Sequence, residues 1–337
     1  MVAAAGTGKT SIIAERFRLL VAAGAEPERV LVMTFTDRAA TEMRERILAT
    51  GVPEAPNVGT FHSLAQRWLR EEGTRIGIPA GFQILAGPDR WILLRELMWE
   101  LGSEELVGAD RPDDQVTPLL KLLERLKQEL IPLNRLRAWA EHSKDHERAG
   151  FFLAATDLFA AYERRCRSDG LLDFDDLLFQ AVRLLESSDG FRRGFAARFG
   201  WILVDEYQDT NLAQERLVEL LAPESGSVCV VGDDDQSIYR FRGASRASME
   251  RFARSFPTAH TLTLGRNRRN SGRVVKAARA LIENNADRIP KTLSGSLPAG
   301  PAVEVLHCPD GASEAAALAA AIGPLAADPG VRIAVLC

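Results

Sequence analysis

The sequence predicts an α/β fold, in which a parallel sheet carries a phosphate-binding loop and an all-helical insertion interrupts the sheet. The loop AAAGTGKT (residues 3–10) leads directly into a helical pattern near the amino terminus. Short apolar runs alternate with helical patterns up to residue 80 and again after residue 170, as in parallel strands joined by helices. Residues 81–170 show helical periodicity throughout, which indicates a separate helical layer.

The loop nearly fits the pattern G-x-x-x-x-G-K-[ST], whose backbone N–H groups surround a polyphosphate. In that pattern the lysine reaches the β- and γ-phosphates, and the hydroxyl after it binds Mg²⁺. Ala3 replaces the first glycine of the pattern, which requires a negative φ at that position. The alternative interpretation is a glycine-rich turn that precedes a helix by chance. The residues predicted to hold the phosphates are Ala5, Gly6, Thr7, Gly8, Lys9 and Thr10.

A strand–helix–strand–helix order is predicted after the first helix, which starts at Ser11 and points its positive end at the bound anion. The apolar run ERVLVMTF (residues 28–35) predicts a buried parallel strand, and DRAATEMRERILATG (residues 37–51) predicts a helix with a Thr or Asp cap. NVGT (residues 57–60) predicts a second strand, and SLAQRWLREEG (residues 63–73) the helix after it. This order indicates a sheet with right-handed crossovers.

Four helical patterns follow one another between residues 81 and 170. They are PDRWILLRELMWELG (88–102), PLLKLLERLKQELI (118–131), LNRLRAWAEHS (133–143) and FFLAATDLFAAYERRCRSDG (151–170). Pro132 stops the second of them, because proline lacks the N–H that a helix interior needs. We predict an all-helical insertion into the α/β domain.

Two carboxylates follow the next buried strand, WILV (residues 201–204). Acidic residues at the carboxyl end of a parallel strand lie where ligands bind in open α/β sheets. Asp205 is therefore predicted to hold Mg²⁺, and Glu206 to orient or deprotonate an attacking water. A solvated acidic turn is the alternative, which the phosphate loop upstream makes less favourable.

A further strand, VCVV (residues 228–231), ends in the run GDDDQSIYRFRG. Gln236 in this run is a candidate sensor of the bound phosphate. Tyr239 and Phe241 alternate with two arginines, and aromatic and guanidinium planes stack on unpaired bases. The run therefore predicts contact with both a nucleotide and single-stranded nucleic acid.

Composition restricts the class of protein. The chain has 337 residues, of which 46% are hydrophobic and 26% charged, and its formal net charge is −4. These values predict a globular chain of two or three domains and leave room for a local basic channel. Apolar runs contain charges well before the roughly 20 residues of a membrane span, and we predict no secretory signal. Widely spaced cysteines, too far apart for a zinc site, favour a reduced cytoplasmic location; they are Cys166, Cys229, Cys308 and Cys337.

Taken together, these motifs resemble those of the superfamily 1 helicases of the UvrD, Rep and PcrA group, over nearly the whole chain. AAAGTGKT resembles their motif I, TFTDRAATEMRERI motif Ia, GTFHS motif Ib, VDEYQDTN motif II, GDDDQSIYRFRGA motif III and LGRNRRN motif IV. LDFDDLL (residues 172–178) resembles a further signature of the group. The resemblance implies two RecA-like domains with ATP between them. The first would comprise residues 1–80 and 171–265, the helical insertion 81–170, and the beginning of the second 266–337.

The resemblance also implies a role for each matching position. Thr10 and Asp205 would hold Mg²⁺, and the catalytic residues would be Glu206, Gln236 and Arg269. Motif IV departs from its usual Asn-Tyr-Arg-Ser because Arg268 stands in place of the aromatic residue. For His62 the alternative to DNA binding is a packing or capping role. The residues implied to line single-stranded DNA are Phe35, Thr60, Phe61, His62, Tyr239 and Phe241.

The implied activity is that of an ATP-dependent DNA helicase that moves in the 3′-to-5′ direction and takes part in DNA repair or replication. Its cofactors would be ATP and Mg²⁺, and its substrates single-stranded DNA and junctions of single and double strands. The chain is expected to be a monomer or to self-associate weakly. Two alternatives stay open: the motor portion of a RecB- or AddA-like helicase–nuclease, and a module that binds nucleotide or single strands without turnover.

We further expect the chain to be a piece of such a helicase, with both ends missing. Only Met1 and Val2 precede the loop, and the chain stops in the apolar run RIAVL (residues 332–336), which we predict to be a strand. Motifs V and VI of the group are not recognised. Weak ATP hydrolysis by the isolated chain is the expectation that follows.

Overall fold

A computed structural model describes residues 1–107, 111–224, 227–237, 247–285, 288–328 and 330–336. This part of the chain is mixed α/β, with strands that pair in parallel. The strands are β1 Val2–Ala3, β2 Val30–Thr34, β3 Val58–Thr60, β4 Gln83–Ile84, β5 Leu171–Leu172, β6 Trp201–Val204, β7 Ser227–Val230, β8 Thr263–Leu264, β9 Arg266–Asn267 and β10 Ser294–Gly295. The helices are α1 Lys9–Ala22, α2 Asp37–Leu48, α3 Phe61–Glu72, α4 Gly87–Leu101, α5 Glu104–Val107, α6 Val116–Gln128, α7 Leu133–Glu141, α8 His146–Ser168, α9 Phe174–Glu186, α10 Asp189–Ala196, α11 Leu212–Leu221, α12 Ser248–Ser255, α13 Gly272–Ile282 and α14 Gly311–Ala326.

The central sheet has the strand order β3–β2–β6–β7, with every neighbouring pair parallel. β1 lies beyond β7, because Val2 bridges to Gly232 and the Ala3 N–H donates to the Gly232 carbonyl at 2.9 Å. β8 pairs with the other side of β1. The phosphate loop, the acidic turn after β6 and the turn after β7 therefore leave the sheet at the same edge, the edge of the strands' carboxyl ends.

Most element boundaries agree with the sequence predictions within two residues, and the differences have local causes. α1 begins at Lys9 rather than Ser11, because Gly8 takes the left-handed conformation, with φ of 92°, directly before it. Thr60 caps α3 through its side chain and starts that helix two residues before the predicted position. The prediction of a strand at residues 332–336 is wrong, because these residues form no strand and lie exposed. None of the described strands pairs with their backbone N–H and C=O groups.

Two apolar clusters cover the faces of the central sheet. One packs α3, α9 and α11 against it around Trp68, and the other packs α1 and α2 against it around Phe17. A third cluster lies among the helices that follow β4 and includes Leu94, Leu123 and Phe159. The helical stretch thus has an apolar core of its own.

Buried charges join that helical stretch to the start of α9. Lys127 of α6 is 3% exposed, and its ammonium contacts Asp173 at 2.7 Å and Asp176 at 2.8 Å. Tyr162 of α8 donates to the same Asp173 carboxylate at 3.1 Å. Asp173 also caps α9 by accepting from the Asp176 N–H at 2.8 Å. A buried lysine thereby compensates two carboxylates that would otherwise be very unfavourable away from water.

No helix in the described ranges combines the length and the apolar character that a membrane crossing requires.

Candidate active site

The loop after β1 has the backbone conformation that a phosphate cradle needs. Gly6 and Gly8 adopt φ of 69° and 92°, in the left-handed region that favours glycine. Ala3 is completely buried within β1 and is not among the residues with positive φ. The backbone at this position therefore accepts an alanine in place of the first glycine of the pattern. Thr7 closes the loop by donating its hydroxyl to the Ala4 carbonyl at 2.7 Å.

Lys9 meets the polar residues of two other turns. Its ammonium contacts Glu206 Oε2 at 2.8 Å and the Gln236 Oε1 at 3.4 Å. Glu206 follows β6 and Gln236 follows β7, which places three residues distant in sequence around one point at the edge of the sheet. Lys9 is only 8% exposed. A buried ammonium held by one carboxylate and one amide has the charge to bind a polyphosphate in exchange for these partners.

Glu206 is held in an unusual backbone conformation. Its φ of 51° and ψ of 44° lie in the left-handed region, where a side chain is disfavoured. Such conformations persist where the surrounding structure imposes them, and they occur often at functional sites. Here the Asp205 carboxylate accepts from the Glu206 N–H at 3.0 Å, and Gln208 Nε2 donates to Glu206 Oε2 at 2.9 Å. The turn thereby directs the carboxylate of Glu206 toward Lys9.

Thr10 and Asp205 place a hydroxyl and a carboxylate next to each other beside Lys9. The Thr10 hydroxyl hydrogen-bonds the Asp205 carboxylate. Burial and then the neighbouring Glu206 raise the pKa of Asp205 to about 6, against the opposing effect of that hydrogen bond. A buried carboxylate beside a second carboxylate is stabilised by a nearby cation. A hydroxyl and a carboxylate are also ligands that Mg²⁺ prefers, so the residues present fit the predicted ion.

The opposite wall of the site comes from the segment after β8. Asn267 is 2% exposed and donates from Nδ2 to the Ala5 carbonyl at 2.8 Å, and the Arg268 N–H donates to the Gly6 carbonyl at 2.9 Å. This wall and the loop both border a cavity of 840 Å³. It is lined by the loop residues, by Glu206 and Gln236, and by Arg266, Arg268 and Arg269. Cationic side chains therefore border the cavity on the side opposite Glu206.

A second cavity, of 450 Å³, lies on the other side of the acidic turn. It is lined by Phe35 and by the carboxylate residues Asp205, Glu206 and Asp209, together with Gln236. Burial and then Glu206 raise the pKa of Asp209 to about 6, and its Oδ1 atom is buried without a hydrogen-bond partner. Phe35, which was predicted to contact DNA, thus shares a cavity with the residues predicted to act on ATP.

The other predicted DNA residues lie in different environments. Phe61 is 2% exposed and packs in the core, and its contact with DNA stays a prediction. Thr60 is also buried, and its hydroxyl accepts from the Ser63 N–H at 3.1 Å as the cap of α3. Tyr239 and Phe241 lie outside the described residues.

Comparison with known proteins decides the family. A sequence model of the UvrD/REP helicase N-terminal domain matches residues 1–257. The chain belongs to the UvrD/REP helicase family. It is similar to the ATP-dependent DNA helicase UvrD1 of Mycobacterium tuberculosis, with 38% identity over 305 residues, 87% of this chain and 38% of the relative.

Two other relatives within the UvrD/REP helicase family give the same picture. The ATP-dependent DNA helicase PcrA of Bacillus subtilis is 34% identical over 296 residues, which cover 87% of this chain and 38% of PcrA. DNA helicase II of Salmonella typhimurium is 36% identical over 296 residues, which cover 87% of this chain and 39% of that helicase. The chain therefore spans less than two fifths of the length of these relatives.

One exposed aromatic residue of this UvrD/REP family chain escaped the sequence analysis. Phe174 is the first residue of α9 and is 52% exposed. Its ring stacks on His62, with 3.9 Å between the ring centroids and 17° between the planes. Burial lowers the pKa of His62 to about 4, so the imidazole is neutral at pH 7. The available signal was a large apolar residue placed among the aspartates of LDFDDLL, directly after the capping Asp173.

Gln208 and Asn267 were also not singled out by sequence. Gln208 is 2% exposed, donates from Nε2 to Glu206 and accepts from the Asp233 N–H at 2.8 Å through Oε1. It therefore connects the turn after β6 with the turn after β7. The Asn267 side chain supports the phosphate loop by donating to the backbone carbonyl of Ala5. Gln208 lies in VDEYQDTN and Asn267 in LGRNRRN. Each contacts a segment that is distant in sequence, so only the folded chain shows these contacts.

Proposed function

We propose that this chain carries the nucleotide site of an ATP-dependent DNA helicase. The observation that carries the proposal is the convergence of Lys9, Glu206 and Gln236 on one point of a cavity whose opposite wall bears arginines. Membership of the UvrD/REP family supports it, as does the naming of its relatives as ATP-dependent DNA helicases. Translocation along single-stranded DNA in the 3′-to-5′ direction, strand separation at junctions and a role in DNA repair belong to the same proposal.

In the proposed mechanism, the phosphates of ATP occupy the loop and bind the Lys9 ammonium, which then no longer contacts the Glu206 carboxylate. Glu206 is then free to accept a proton from the attacking water, while Gln236 contacts the γ-phosphate. Thr10 and Asp205 would hold Mg²⁺, which supplies neutralisation of the phosphate charge. Arg269 would contact the γ-phosphate from the opposite wall, as the arginine of motif IV.

The proposal divides the chain into three parts. Residues 1–80 and 171–265 form a first RecA-like domain, residues 81–170 a helical insertion, and residues 266–337 the beginning of a second RecA-like domain. The separate apolar cluster of the helices after β4 supports the boundary around the insertion. The position of Asn267 and Arg268 against the loop supports a nucleotide site between the first and second parts.

Nucleotide binding is tested by Lys9→Ala. We expect the affinity for Mg·ATP to fall by about 1.5–3 kcal/mol, because charge-assisted hydrogen bonds to phosphate are lost. A titration with a fluorescent ATP analogue measures the dissociation constant. Lys144→Ala, which removes an exposed lysine on the loop between α7 and α8, is the matched control and should bind like the unmodified chain. Equal affinities of the Lys9→Ala and control variants would contradict the proposed site.

Single-stranded DNA binding is tested by Phe174→Ala. The exposed ring supported by a neutral imidazole is a suitable platform for a base, so we expect a loss of about 1–3 kcal/mol in affinity for an oligonucleotide. Binding should weaken as salt increases, since phosphate contacts release counterions. Fluorescence anisotropy with single-stranded and blunt duplex DNA measures both effects.

The control for this test is Trp139→Ala, because Trp139 is 53% exposed, like Phe174, but lies on α7. Tyr239→Ala is the parallel variant for the predicted aromatic residue in motif III. If blunt duplex binds as well as single strands, or if Phe174→Ala and Trp139→Ala bind alike, the proposed platform is wrong.

A further inference from the structure

Three consecutive aspartates follow β7 and precede Gln236. Carboxylate oxygens of Asp233, Asp234 and Asp235 all lie within 4.8 Å of one another. Asp233 is 2% and Asp234 7% exposed. Three ionised carboxylates this close, and largely shielded from water, repel one another strongly unless cations compensate them.

The compensating cations come from a segment far along the chain. The Lys291 ammonium contacts Asp233 Oδ1 at 2.8 Å and Asp235 Oδ2 at 2.9 Å, and it also contacts Asp234 Oδ1. The Lys291 side chain is completely buried. Arg288 makes a bidentate contact to Asp235, from Nη2 to Oδ2 at 2.7 Å and from Nε to Oδ1 at 3.2 Å. Lys291 thus occupies the centre of the acidic cluster.

The acidic cluster in turn positions the nucleotide residues. Asp233 accepts a hydrogen bond from Gln236 Nε2, and its own N–H donates to Gln208 Oε1 at 2.8 Å. Gln208 donates to Glu206 at 2.9 Å, and both Glu206 and Gln236 contact Lys9. A continuous series of polar contacts therefore runs from Lys291 to the phosphate loop, through the carboxylate and the backbone N–H of Asp233 and then through the side chains of Gln208, Gln236 and Glu206.

The electrostatic balance of this cluster supports its dependence on Lys291. Burial opposes ionisation of Asp235, but hydrogen bonds from Arg288 and Lys291 outweigh it and lower its pKa. Burial likewise disfavours the Lys291 ammonium, but hydrogen bonds to the three aspartates raise its pKa above the usual value. Each partner is thus held in its charged form by the other. Removing the lysine would take away the ammonium that contacts Asp233 and Asp234, while Arg288 would stay on Asp235. Repulsion between the carboxylates would then favour rearrangement of the turn.

We propose that Lys291 is a positioning residue of the nucleotide site: by neutralising the aspartate cluster, it keeps Asp233 as the acceptor that holds the Gln236 amide beside Lys9. This inference rests on the proposed function, in which Gln236 contacts the γ-phosphate. Its consequence is specific to the third phosphate. Without Lys291 the site should still bind the α- and β-phosphates through the loop, but its preference for ATP over ADP should fall, because Gln236 would no longer be positioned to contact the γ-phosphate.

The experiment compares two ligands, ADP and a non-hydrolysable ATP analogue, in the presence of Mg²⁺. Lys291→Gln is expected to raise the Kd of the ATP analogue about tenfold, through loss of a positioned hydrogen bond to a charged group, and to leave the Kd of ADP unchanged. Lys291→Arg keeps the charge and should retain the preference. Lys276→Gln, an exposed lysine on α13, is the matched control and should behave as the unmodified chain does.

A double-mutant cycle tests the connection to Gln236. Gln236→Ala should lose the same preference, and Lys291→Gln combined with Gln236→Ala should be no worse than Gln236→Ala alone, because coupled residues are not additive. If Lys291→Gln fails to fold, Asp233→Asn provides the second variant, since it weakens the acceptor for Gln236 and lowers the negative charge; it should show the same selective loss.

Three results would overturn the inference. Lys291→Gln could keep the preference for the ATP analogue while Gln236→Ala loses it, which would separate the lysine from the sensor. Lys291→Gln could weaken both ligands equally and lower the melting temperature, which would indicate support of the fold alone. Finally, if Lys9→Ala and Gln236→Ala both leave the two affinities unchanged, the proposed function itself fails, and the inference fails with it.

Discussion

Replacing Glu206 with glutamine is expected to lower ATP turnover by about 10²–10⁴-fold, which is the usual contribution of a positioned general base. The glutamine keeps the size of the side chain but cannot accept the proton of the attacking water. The turn that holds position 206 in the left-handed conformation, and Gln208 beside it, remain in place. The loss should therefore appear in the chemical step.

Nucleotide affinity should be retained in Glu206→Gln, or become tighter. In the structure the Lys9 ammonium contacts the Glu206 carboxylate at 2.8 Å, and a bound polyphosphate competes with that contact. An uncharged amide at position 206 holds Lys9 less strongly, since an ion pair between charged partners is replaced by an ordinary hydrogen bond.

Single-turnover phosphate release from a preformed complex measures the chemical step, and a fluorescent-nucleotide titration measures affinity. Glu45→Gln, which makes the same change on an exposed position of α2, is the control and should leave both values unchanged. Unaltered phosphate release in Glu206→Gln would remove Glu206 from the mechanism. A loss of affinity equal to the loss of rate would instead indicate that the variant disturbs the loop.

Lys127→Met should destabilise the protein by about 3–5 kcal/mol, the range observed when one partner of a buried ion pair is removed. Methionine fills much of the same space, so a cavity contributes little. The loss comes from Asp173 and Asp176, which keep their buried positions but lose the ammonium at 2.7 and 2.8 Å. Urea unfolding followed by tryptophan fluorescence measures the free energy of unfolding.

The pH dependence separates this electrostatic cause from a packing defect. Without Lys127, the pKa values of Asp173 and Asp176 in the folded state rise, because burial disfavours their charged forms. The unfolded chain binds fewer protons than the folded variant between the unfolded and the raised pKa values. The variant should therefore regain stability as the pH falls from 8 toward 5, relative to the unmodified chain.

The matched control for this prediction is Lys121→Met, which lies on the same helix but is exposed. Its effect should stay within about 0.5 kcal/mol, as for most surface substitutions. A pH-independent loss in Lys127→Met would point to packing, and a negligible loss would show that the aspartates find other partners or water.

The sequence by itself determined the parts of the molecule that depend on local order. Gly6 and Gly8 lie where positive φ is needed, and an apolar run before Asp205 forms the strand β6 over the predicted residues. The loop, the acidic turn and the strand–helix alternation depend on interactions between residues close in sequence. The family could also be recognised from the sequence, because its motifs are short and contiguous. Some boundaries moved because a cap side chain such as Thr60 or a left-handed glycine set the first turn of a helix.

The tertiary structure alone decided which residues of those motifs are buried and which lie at the surface. GTFHS predicted DNA contact for Phe61, but the ring points into the core, whereas Phe174, over a hundred residues later, stacks on His62 at the surface. Lys291 and Asp233 are likewise far apart in sequence, and their contact compensates the negative charge of the aspartate cluster after β7. A sequence pattern indicates the periodicity of local secondary structure. Burial and charge compensation depend instead on which distant segments pack against each other, and this is determined only in the folded chain.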